Sequence, residues 1–292
     1  MSDSRTTTAQ LPNDSEGALT PIMDWLSDIG GWLLDTLDSV GDFLLFVWST
    51  WKWLFTRWPK QETIWPNLYQ VGVMSLPVIA LTGTFIGMVL AVQSYSEFRS
   101  LGLETRLGAV INKSLVMELG PVLAATMLAG RVGSAMSAEL GTMRVTEQID
   151  ALASMGANPI HYLVVPRFLA CILMIPTLTI MADYMGVVGG YFYSVNVLGI
   201  DRHHYIYNSE QFVGNFDLFG GVFKSFFFGG TIALVACYRG FTCTAGAEGV
   251  GKAATAAFVY SFVLILLIDL MLAIILNSIY DAIWPDGAKL FG

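Results

Sequence analysis

The chain has 292 residues, of which 54% are hydrophobic and 13% are charged, and its formal net charge at pH 7 is −8. Soluble domains carry roughly twice that charged fraction, so the composition excludes an ordinary water-soluble protein. The acidic balance, without a cluster of Lys or Arg, excludes a nucleic-acid-binding surface, because phosphates require a basic face. The three cysteines form no C-x-x-C pair, so neither a disulfide framework nor a metal site is predicted.

The first 66 residues are predicted to lie outside the hydrocarbon of a membrane. Residues 1–21 are polar and predict a disordered tail. Residues 22–66 predict an amphipathic interfacial helix followed by an elbow rich in Trp, since Trp with cationic neighbours favours the headgroup layer. The helix carries its acids on one face, which is either solvated or turned toward a basic partner: Asp24, Asp28, Asp35, Asp38 and Asp42.

Residues 67–292 are predicted to form a membrane domain with five transmembrane helices, at about 71–96, 107–138, 162–197, 218–238 and 253–283. Each segment reaches the roughly 20 residues that cross hydrocarbon, and in lipid only a helix satisfies its own backbone. The predicted fold is therefore an all-α integral membrane protein. A modest excess of Lys and Arg on the N-terminal side predicts a cytoplasmic N-terminus.

Residues 144–156, between the second and third spans, predict a short helix outside the membrane. Val145, Ile149 and Leu152 recur with helical spacing, and Gly156 supplies a stop. Such a helix can insert its apolar side chains into a groove of a soluble partner. An ordinary surface linker is the alternative.

Among the charged residues within the predicted spans, three are singled out as candidates for the transport path: Glu118, Lys224 and Asp269. A charge at the bilayer centre costs at least about 2.5 kcal/mol, so these side chains are predicted to face a protein interior or a wet cavity and to line a transport path. The alternatives are structural ion pairs or, for Lys224, a side chain that reaches the membrane surface. Five residues are predicted to form the wall or mouth of an apolar cavity: Leu76, Val78, Tyr95, Phe98 and Leu101.

The segment Gly246 to Lys252, GAEGVGK, fits the G-x-x-x-x-G-K pattern of a phosphate-binding loop. Ala253 follows where that loop needs the Ser or Thr hydroxyl that binds magnesium. No nucleotide, cofactor or catalytic residue is therefore predicted in this chain. The adjacent His203 and His204 are interpreted as part of a solvated loop, not as metal ligands.

The stretch from Glu118 to Arg167, ELGPVLAATMLAGRVGSAMSAELGTMRVTEQIDALASMGANPIHYLVVPR, resembles the signature of the MlaE (YrbE) family of ABC-transporter permeases, and TAGAEGVGKAAT, Thr244 to Thr255, matches a second block. The resemblance implies a non-catalytic, homodimeric permease of an Mla-type phospholipid transport system in the bacterial inner membrane. It also implies an MlaF-like ATPase partner that binds ATP and Mg, and an MlaD-like partner with an MCE domain.

The resemblance further implies that residues 144–156 are the coupling helix that contacts the ATPase, through Arg144, Glu147, Asp150, Leu152, Met155 and Gly156. Two other functions stay open from the residues alone. A carrier driven by an ion gradient would use the intramembrane carboxylates Glu118, Asp183 and Asp269, although no internal repeat is visible. A membrane anchor for an ATPase would need no transport path.

Overall fold

The computed structural model describes residues 20–56 and 58–283, with side chains described from residue 30 to 282 except at positions 32, 36 and 57. Within those ranges the chain is helical and contains no strand. The tail predicted for residues 1–21 lies outside the described residues, apart from its last two positions. The chain divides into two compact units, residues 1–49 and 50–292.

The first unit is described by most of the helix α1, which runs from Thr20 to Thr56. Asp35, Asp38 and Asp42 are exposed, but so are the apolar side chains Leu33 and Leu37. The remaining positions of the predicted acidic face, Asp24 and Asp28, lie outside the described side chains. The predicted division into a helix and an elbow is wrong in detail, because α1 continues through Trp48, Trp51 and Trp53, and among the described residues of 22–66 only 58–60 are non-helical.

Five helical stretches of the second unit are long and apolar enough to cross a membrane, which confirms the predicted number. Span 1 is Gln61–Ser100, built from α2 (Gln61–Val71), a 3₁₀ turn and α3 (Leu76–Ser100). Span 2 is Glu104–Val145, built from a 3₁₀ turn, α4 (Leu107–Ser114), α5 (Gly120–Leu128) and α6 (Ser134–Val145), with π-helical turns at Leu115–Leu119 and Ala129–Gly133.

The remaining helices follow in order. The helix α7 is Gln148–Ser154. Span 3, Ile160–Asn196, consists of a π-helical turn, Ile160–Val164, and α8 (Val165–Asn196). The short helix α9 is Arg202–Phe212, span 4 is α10 (Asn215–Phe241), and span 5, Ala247–Ala282, belongs to α11 (Ala247–Ile283). Because the spans alternate in direction, α7 lies on one side of the membrane and α9 on the other, here termed the α7 side and the α9 side.

Two of the three π-helical turns precede a proline. Pro121 has no N–H, and its ring crowds the carbonyl four residues earlier, which disfavours a regular helix at this position. The chain inserts an extra residue instead, and the Gly120 N–H donates to the Leu115 carbonyl. Pro166 follows the turn Ile160–Val164 in the same way. Proline chemistry therefore favours the π-helical turn that contains Glu118, although α8 continues through Pro176 without such a turn.

Spans 1 and 3 pack with their backbones in close contact. A Cβ at Gly83 would lie 2.6 Å from the Ala182 carbonyl oxygen, and a Cβ at Gly87 would overlap the Gly186 carbonyl. The G-x-x-x-G pattern of span 1 thus serves a contact within one chain. The main apolar core lies around Phe168 and the residues facing it on spans 2, 4 and 5: Leu128, Phe228, Ile232 and Ile265.

Candidate functional site

Three spans contribute one charged side chain each to a single cluster, the charge triad Glu118, Lys224 and Asp269. The Lys224 Nζ lies 2.6 Å from Glu118 Oε2 and 3.1 Å from Asp269 Oδ1. The Lys224 side chain is only 2% exposed, against 19% for Asp269 and 36% for Glu118. The structure therefore brings all three predicted intramembrane charges together as an ion cluster, and it does not leave Lys224 at the surface.

Local helix geometry explains how the triad meets. Glu118 lies within the π-helical turn, where the extra residue shifts the helix register, and such turns occur frequently at functional sites. Span 4 approaches this turn closely, because a Cβ at Gly221 would overlap the Val116 carbonyl. One turn further along span 4, Lys224 reaches Glu118 from one side and Asp269 of span 5 from the other.

The electrostatics of the triad are unbalanced. One ammonium faces two carboxylates, and Lys224 donates a hydrogen bond to Glu118, whereas Asp269 Oδ1 accepts none from the described residues. A buried charge is tolerated when it is paired and hydrogen-bonded. Lys224 therefore holds the cluster together, and Glu118 is the member with an edge accessible from outside the chain.

A small cavity adjoins the triad on the α9 side. Its volume is about 10 Å³, which is room for roughly one water molecule and far too little for a lipid. Asp217 borders this cavity, lies 3.6 Å from Lys113, and accepts a hydrogen bond from the Gly214 N–H at the start of α10. Alternating charges thus extend from the half-exposed Lys113 through Asp217 to the triad, and the cavity between them is too small to hold cargo within one chain.

The structure does not gather the five predicted cavity-wall residues around the triad. Leu76 and Val78 are each 37% exposed on the outside of α3, and Leu101 is 69% exposed. Tyr95 and Phe98 are half-buried and pack on a second apolar cluster, about 28 Å along the helix from Leu76. Within a single chain they line no common cavity, and their role stays a prediction that requires another surface opposite them.

The connecting helix is shorter than the sequence predicted. Residues 144–156 were expected to form one helix, but only Gln148–Ser154 is helical, and Arg144 belongs to the end of α6. Glu147 interrupts the helix because its backbone φ is 60°, in the left-handed region that residues other than glycine rarely adopt. Arg144 Nη1 lies 2.6 Å from Asp150 Oδ1 and closes the corner between α6 and α7.

The exposed face of this corner differs from the predicted apolar stripe. Ile149 is 4% exposed and packs into its own chain, and Leu152 is half-buried. Met155 is 76% exposed, and Glu147, Asp150 and Gly156 are exposed as well. The expectation that the whole stripe enters a partner's groove is therefore wrong for Ile149, which anchors the corner from inside. The exposed surface of the corner carries the acids Glu147 and Asp150, and Met155 is its exposed apolar side chain.

Sequence reasoning missed a second buried ion pair. Arg167 Nη2 of span 3 lies 3.0 Å from Glu139 Oε1 of span 2, and the Arg167 side chain is 8% exposed. Asp183 lies within α8 of span 3, and its carboxylate packs against Gly120 of span 2. Its Oδ1 has no hydrogen-bond partner among the described residues. The sequence signals are the charges themselves, whose partners depend on helix packing.

The short helix α9 is held by local hydrogen bonds and by contacts with α4. Asp201 Oδ1 accepts from the backbone N–H groups of His203 and His204, at 2.6 and 3.3 Å, and these bonds lower the pKa of the carboxyl. Burial raises the pKa of Tyr205 to about 12. No group of three His, Cys, Asp or Glu among the described residues is arranged to hold a metal ion. His203 and His204 lie in the first turn of α9, so the interpretation of this segment as a loop is wrong.

Comparison with known proteins identifies the architecture. The family model described as Permease MlaE matches residues 64–275. A probable ABC transporter permease protein of Rickettsia felis is 39% identical over 84% of this chain and 95% of its own length. The intermembrane phospholipid transport system permease protein MlaE of Haemophilus influenzae is 32% identical over 87% of this chain and 98% of its own length.

A plant protein is similar as well. The chloroplastic protein TRIGALACTOSYLDIACYLGLYCEROL 1 of Arabidopsis thaliana is 39% identical over 73% of this chain and 62% of its own length. The matched residues of the family model contain the charge triad, the π-helical turns and the α6–α7 corner. The chain therefore belongs to the MlaE family of ABC transporter permeases and is a multi-pass, non-catalytic membrane subunit.

Proposed function

We propose that this chain is the permease of an ATP-driven transporter that moves phospholipid between the inner and outer membranes of a bacterium. It acts in the inner membrane as a homodimer, with an MlaF-like ATPase that binds ATP and Mg and an MlaD-like protein with an MCE domain. The name of the Haemophilus relative, an intermembrane phospholipid transport system permease protein, supports phospholipid as the cargo. The observation that carries the proposal is the exposed α6–α7 corner, which is anchored inside its own chain and presents charged groups outward.

The α6–α7 corner is attached firmly enough to transmit a movement of α7 to span 2. Ile149 fixes α7 to the membrane domain, and the Arg144–Asp150 pair fixes α7 to the end of α6. Span 2 continues from α6 to the π-helical turn with Glu118, about 40 Å away along the helix. A partner that pushes on Glu147, Asp150 and Met155 therefore shifts span 2, and the shift changes the geometry between Glu118 and Lys224.

The Glu118–Lys224 contact of the triad can exist in a closed and an open arrangement. Glu118 on span 2 is paired across helices with Lys224 on span 4, and its exposed edge gives the pair access to water or cargo. Opening this contact leaves Lys224 with Asp269, so the cation keeps one partner in both arrangements. In the proposed cycle, ATP-driven displacement of span 2 breaks and remakes the Glu118–Lys224 contact beside the lipid path. The path itself forms between two copies, since the cavity beside the triad in one chain has room for only about one water molecule.

The same proposal places the α7 side in the cytoplasm. The cations Lys52, Lys60, Arg144, Arg239 and Lys252 lie on the α7 side, in agreement with the excess of Lys and Arg on cytoplasmic loops. The ATPase then meets α7 directly. An MCE-domain partner works from the α9 side.

The test is co-purification from the native host, in nanodiscs, of the wild-type chain, Glu147→Lys and the matched control Glu210→Lys. Glu210 is exposed on α9, on the opposite side of the membrane. We expect the wild type and the control to retain an ATPase and an MCE protein, and Glu147→Lys to lose the ATPase while it still elutes as a folded, monodisperse chain. Equal retention of the ATPase by all three would contradict the role of the corner.

Two other outcomes decide between the remaining functions. If the wild-type chain purifies alone and moves lipid in response to a proton gradient, it is an ion-driven carrier, for which the unpartnered Asp183 is the leading carboxylate. If Lys224→Gln retains the ATPase and leaves lipid transport unchanged, the triad is a structural ion cluster, and the proposed role of the triad in transport is refuted.

A further inference from the structure

Arg131 differs from every other basic residue within the five spans. Eight Lys and Arg side chains there lie near an acidic or aromatic partner: Arg99, Arg106, Lys113, Arg144, Arg167, Lys224, Arg239 and Lys252. Arg131, by contrast, has no ion pair, hydrogen bond or ring contact among the described residues. An exposed guanidinium without a protein partner at the edge of a membrane span is available to an anion.

The π-helical turn Ala129–Gly133 directs Arg131 away from the protein core. Gly130 faces Phe258 of span 5, whose ring carbons lie 3.6 Å from the position of a Cβ, and Gly133 faces Ile232 of span 4 at 3.4 Å. Spans 4 and 5 therefore occupy two sides of the turn. Arg131 lies on a third side, where it is exposed.

A cavity of about 120 Å³ lies on that third side, between spans 1 and 2. Arg131 and Gln70 supply its polar lining, and the apolar lining consists of Met74, Val132, Ala135 and Met136. Met74 is 51% exposed, so the cavity continues onto the membrane-facing surface of span 1. One cation and one amide beside an apolar, laterally open wall suit an anionic head attached to apolar chains.

The cavity lies at the depth of lipid headgroups on the α7 side. Gln70 follows Tyr69 and is little more than one turn from Trp65, and these rings are 57% and 69% exposed. Exposed Trp and Tyr mark the interface between hydrocarbon and headgroups. Beyond Arg131, the last turns of α6 carry the exposed Glu139 and Arg144, which places them outside the hydrocarbon.

We infer that Arg131 and Gln70 bind the phosphate of a membrane phospholipid at the α7-side interface, at a site separate from the charge triad. Arginine presents a planar fork of N–H donors that matches phosphate bidentately, and the Gln70 amide adds a donor beside it. The acyl chains extend along Met74 into the surrounding lipid. The inference deepens the proposed function by locating where a headgroup enters, but lipid occupancy is measured without the ATPase.

The experiment uses native mass spectrometry of the full-length chain in detergent, titrated with dioleoyl phosphatidylglycerol or with dioleoylglycerol, which lacks the phosphate. We expect the wild type to prefer the phosphatidylglycerol by about tenfold or more, as for one charge-assisted hydrogen-bonded contact. Arg131→Met removes the preference, Arg131→Lys keeps part of it, and Gln70→Leu weakens it. The control Lys60→Met, an exposed cation on the same side outside the cavity, keeps the full preference.

Three results would overturn the inference. The first is a preference that survives in Arg131→Met. The second is displacement of the lipid by an equal concentration of inorganic phosphate, which would assign the site to free phosphate. The third is loss of the dimer with unchanged lipid binding in Arg131→Met, which would assign Arg131 to a carboxylate of a second copy. If the co-purification from the native host recovers no ATPase while the lipid preference is intact, the proposed function is refuted and this inference stands.

Discussion

The charge triad and the α6–α7 corner both pair opposite charges, yet they differ in burial and in the distance along the chain that they join. Lys224 is 2% exposed and meets Glu118 across 106 residues, whereas Arg144 and Asp150 are 41% and 61% exposed and only six residues apart. Removing one member of a buried pair leaves an uncompensated charge, while exposed pairs contribute little. The triad therefore holds the spans together, and the charges of the corner are available to a partner.

The largest effect is expected for Lys224→Met. The two carboxylates Glu118 and Asp269 then lose their shared cation, and the variant is expected to lose about 3–5 kcal/mol of stability. Thermal unfolding in nanodiscs measures the loss. The matched control combines Lys224→Met with Glu118→Gln and Asp269→Asn, and this uncharged triad should regain most of the stability. An unchanged melting temperature in the single variant would refute the triad as a buried ion cluster.

The next largest effect tests whether backbone packing holds the spans as firmly as charge does. Gly87→Val places a side chain against the Gly186 carbonyl, which belongs to a rigid helix and cannot move aside. Overpacking of this kind costs about 1–3 kcal/mol or more. Gly251→Ala is the control, because nothing lies within 4 Å of its added Cβ. The yield of monodisperse protein and its unfolding temperature should fall for Gly87→Val alone.

At the corner, stability and function should separate. Asp150→Asn breaks an exposed ion pair, so the change in unfolding free energy should stay below about 1 kcal/mol. The same variant is expected to reduce stimulation of the partner's ATPase activity several-fold, because the α7 contact loses its charge and its link to α6. Asp281→Asn, an exposed acid near the end of span 5, serves as the control. Equal loss of stability and activity in Asp150→Asn would remove the distinction between the two regions.

The smallest effect concerns α9, where a third kind of charge is fully exposed but locally bonded. The backbone N–H groups of His203 and His204 lower the pKa of Asp201, so the ionised carboxylate stabilises the helix start. That contribution is present above the ordinary aspartate pKa of about 3.9 and is lost as the pH falls through the lower pKa of the folded state. Hydrogen exchange of the α9 amides should therefore report no pH-dependent opening between pH 8 and 5, and opening only in stronger acid.

Two variants complete the α9 test. Asp201→Asn keeps a side-chain oxygen that accepts from the same N–H groups, so it should preserve protection and abolish the acid-dependent opening. Asp201→Ala should open α9 at every pH. Opening of the wild type near pH 6 would instead point to His203 or His204 as the titrating group.

Hydropathy was a sound guide to the spans and a poor guide to the corner. All five predicted spans are present. Span 5, Ala247–Ala282, differs by few residues from its predicted range of 253–283, because its sequence, which includes LILLIDLML, is strongly apolar. The helical spacing of Val145, Ile149 and Leu152 suggested one continuous helix, but Glu147 adopts a left-handed backbone that periodicity does not reveal. Tertiary anchoring of Ile149 outweighs local helix preference there.

The predicted site shows the same division. The cost of a charge in hydrocarbon indicated that Glu118, Lys224 and Asp269 face inward, and the structure adds that they face one another. Nothing in their spacing along the chain shows that Arg167 pairs with Glu139 while Arg131 pairs with nothing among the described residues. The predicted cavity residues, from Leu76 to Leu101, are similarly spread along α3 because one helix cannot close a cavity by itself.

The helical character of the chain, the number of its membrane crossings and the position of its π-helical turn before Pro121 were all decided by the amino-acid sequence, because they depend on composition and backbone chemistry within a short stretch. Which charges meet, which side of α7 is free and where Arg131 lies were decided only by the packing of the spans. Ion pairs and cavities depend on the rotation and register between helices far apart in the chain, and these are set by close contacts such as Gly87 with Gly186.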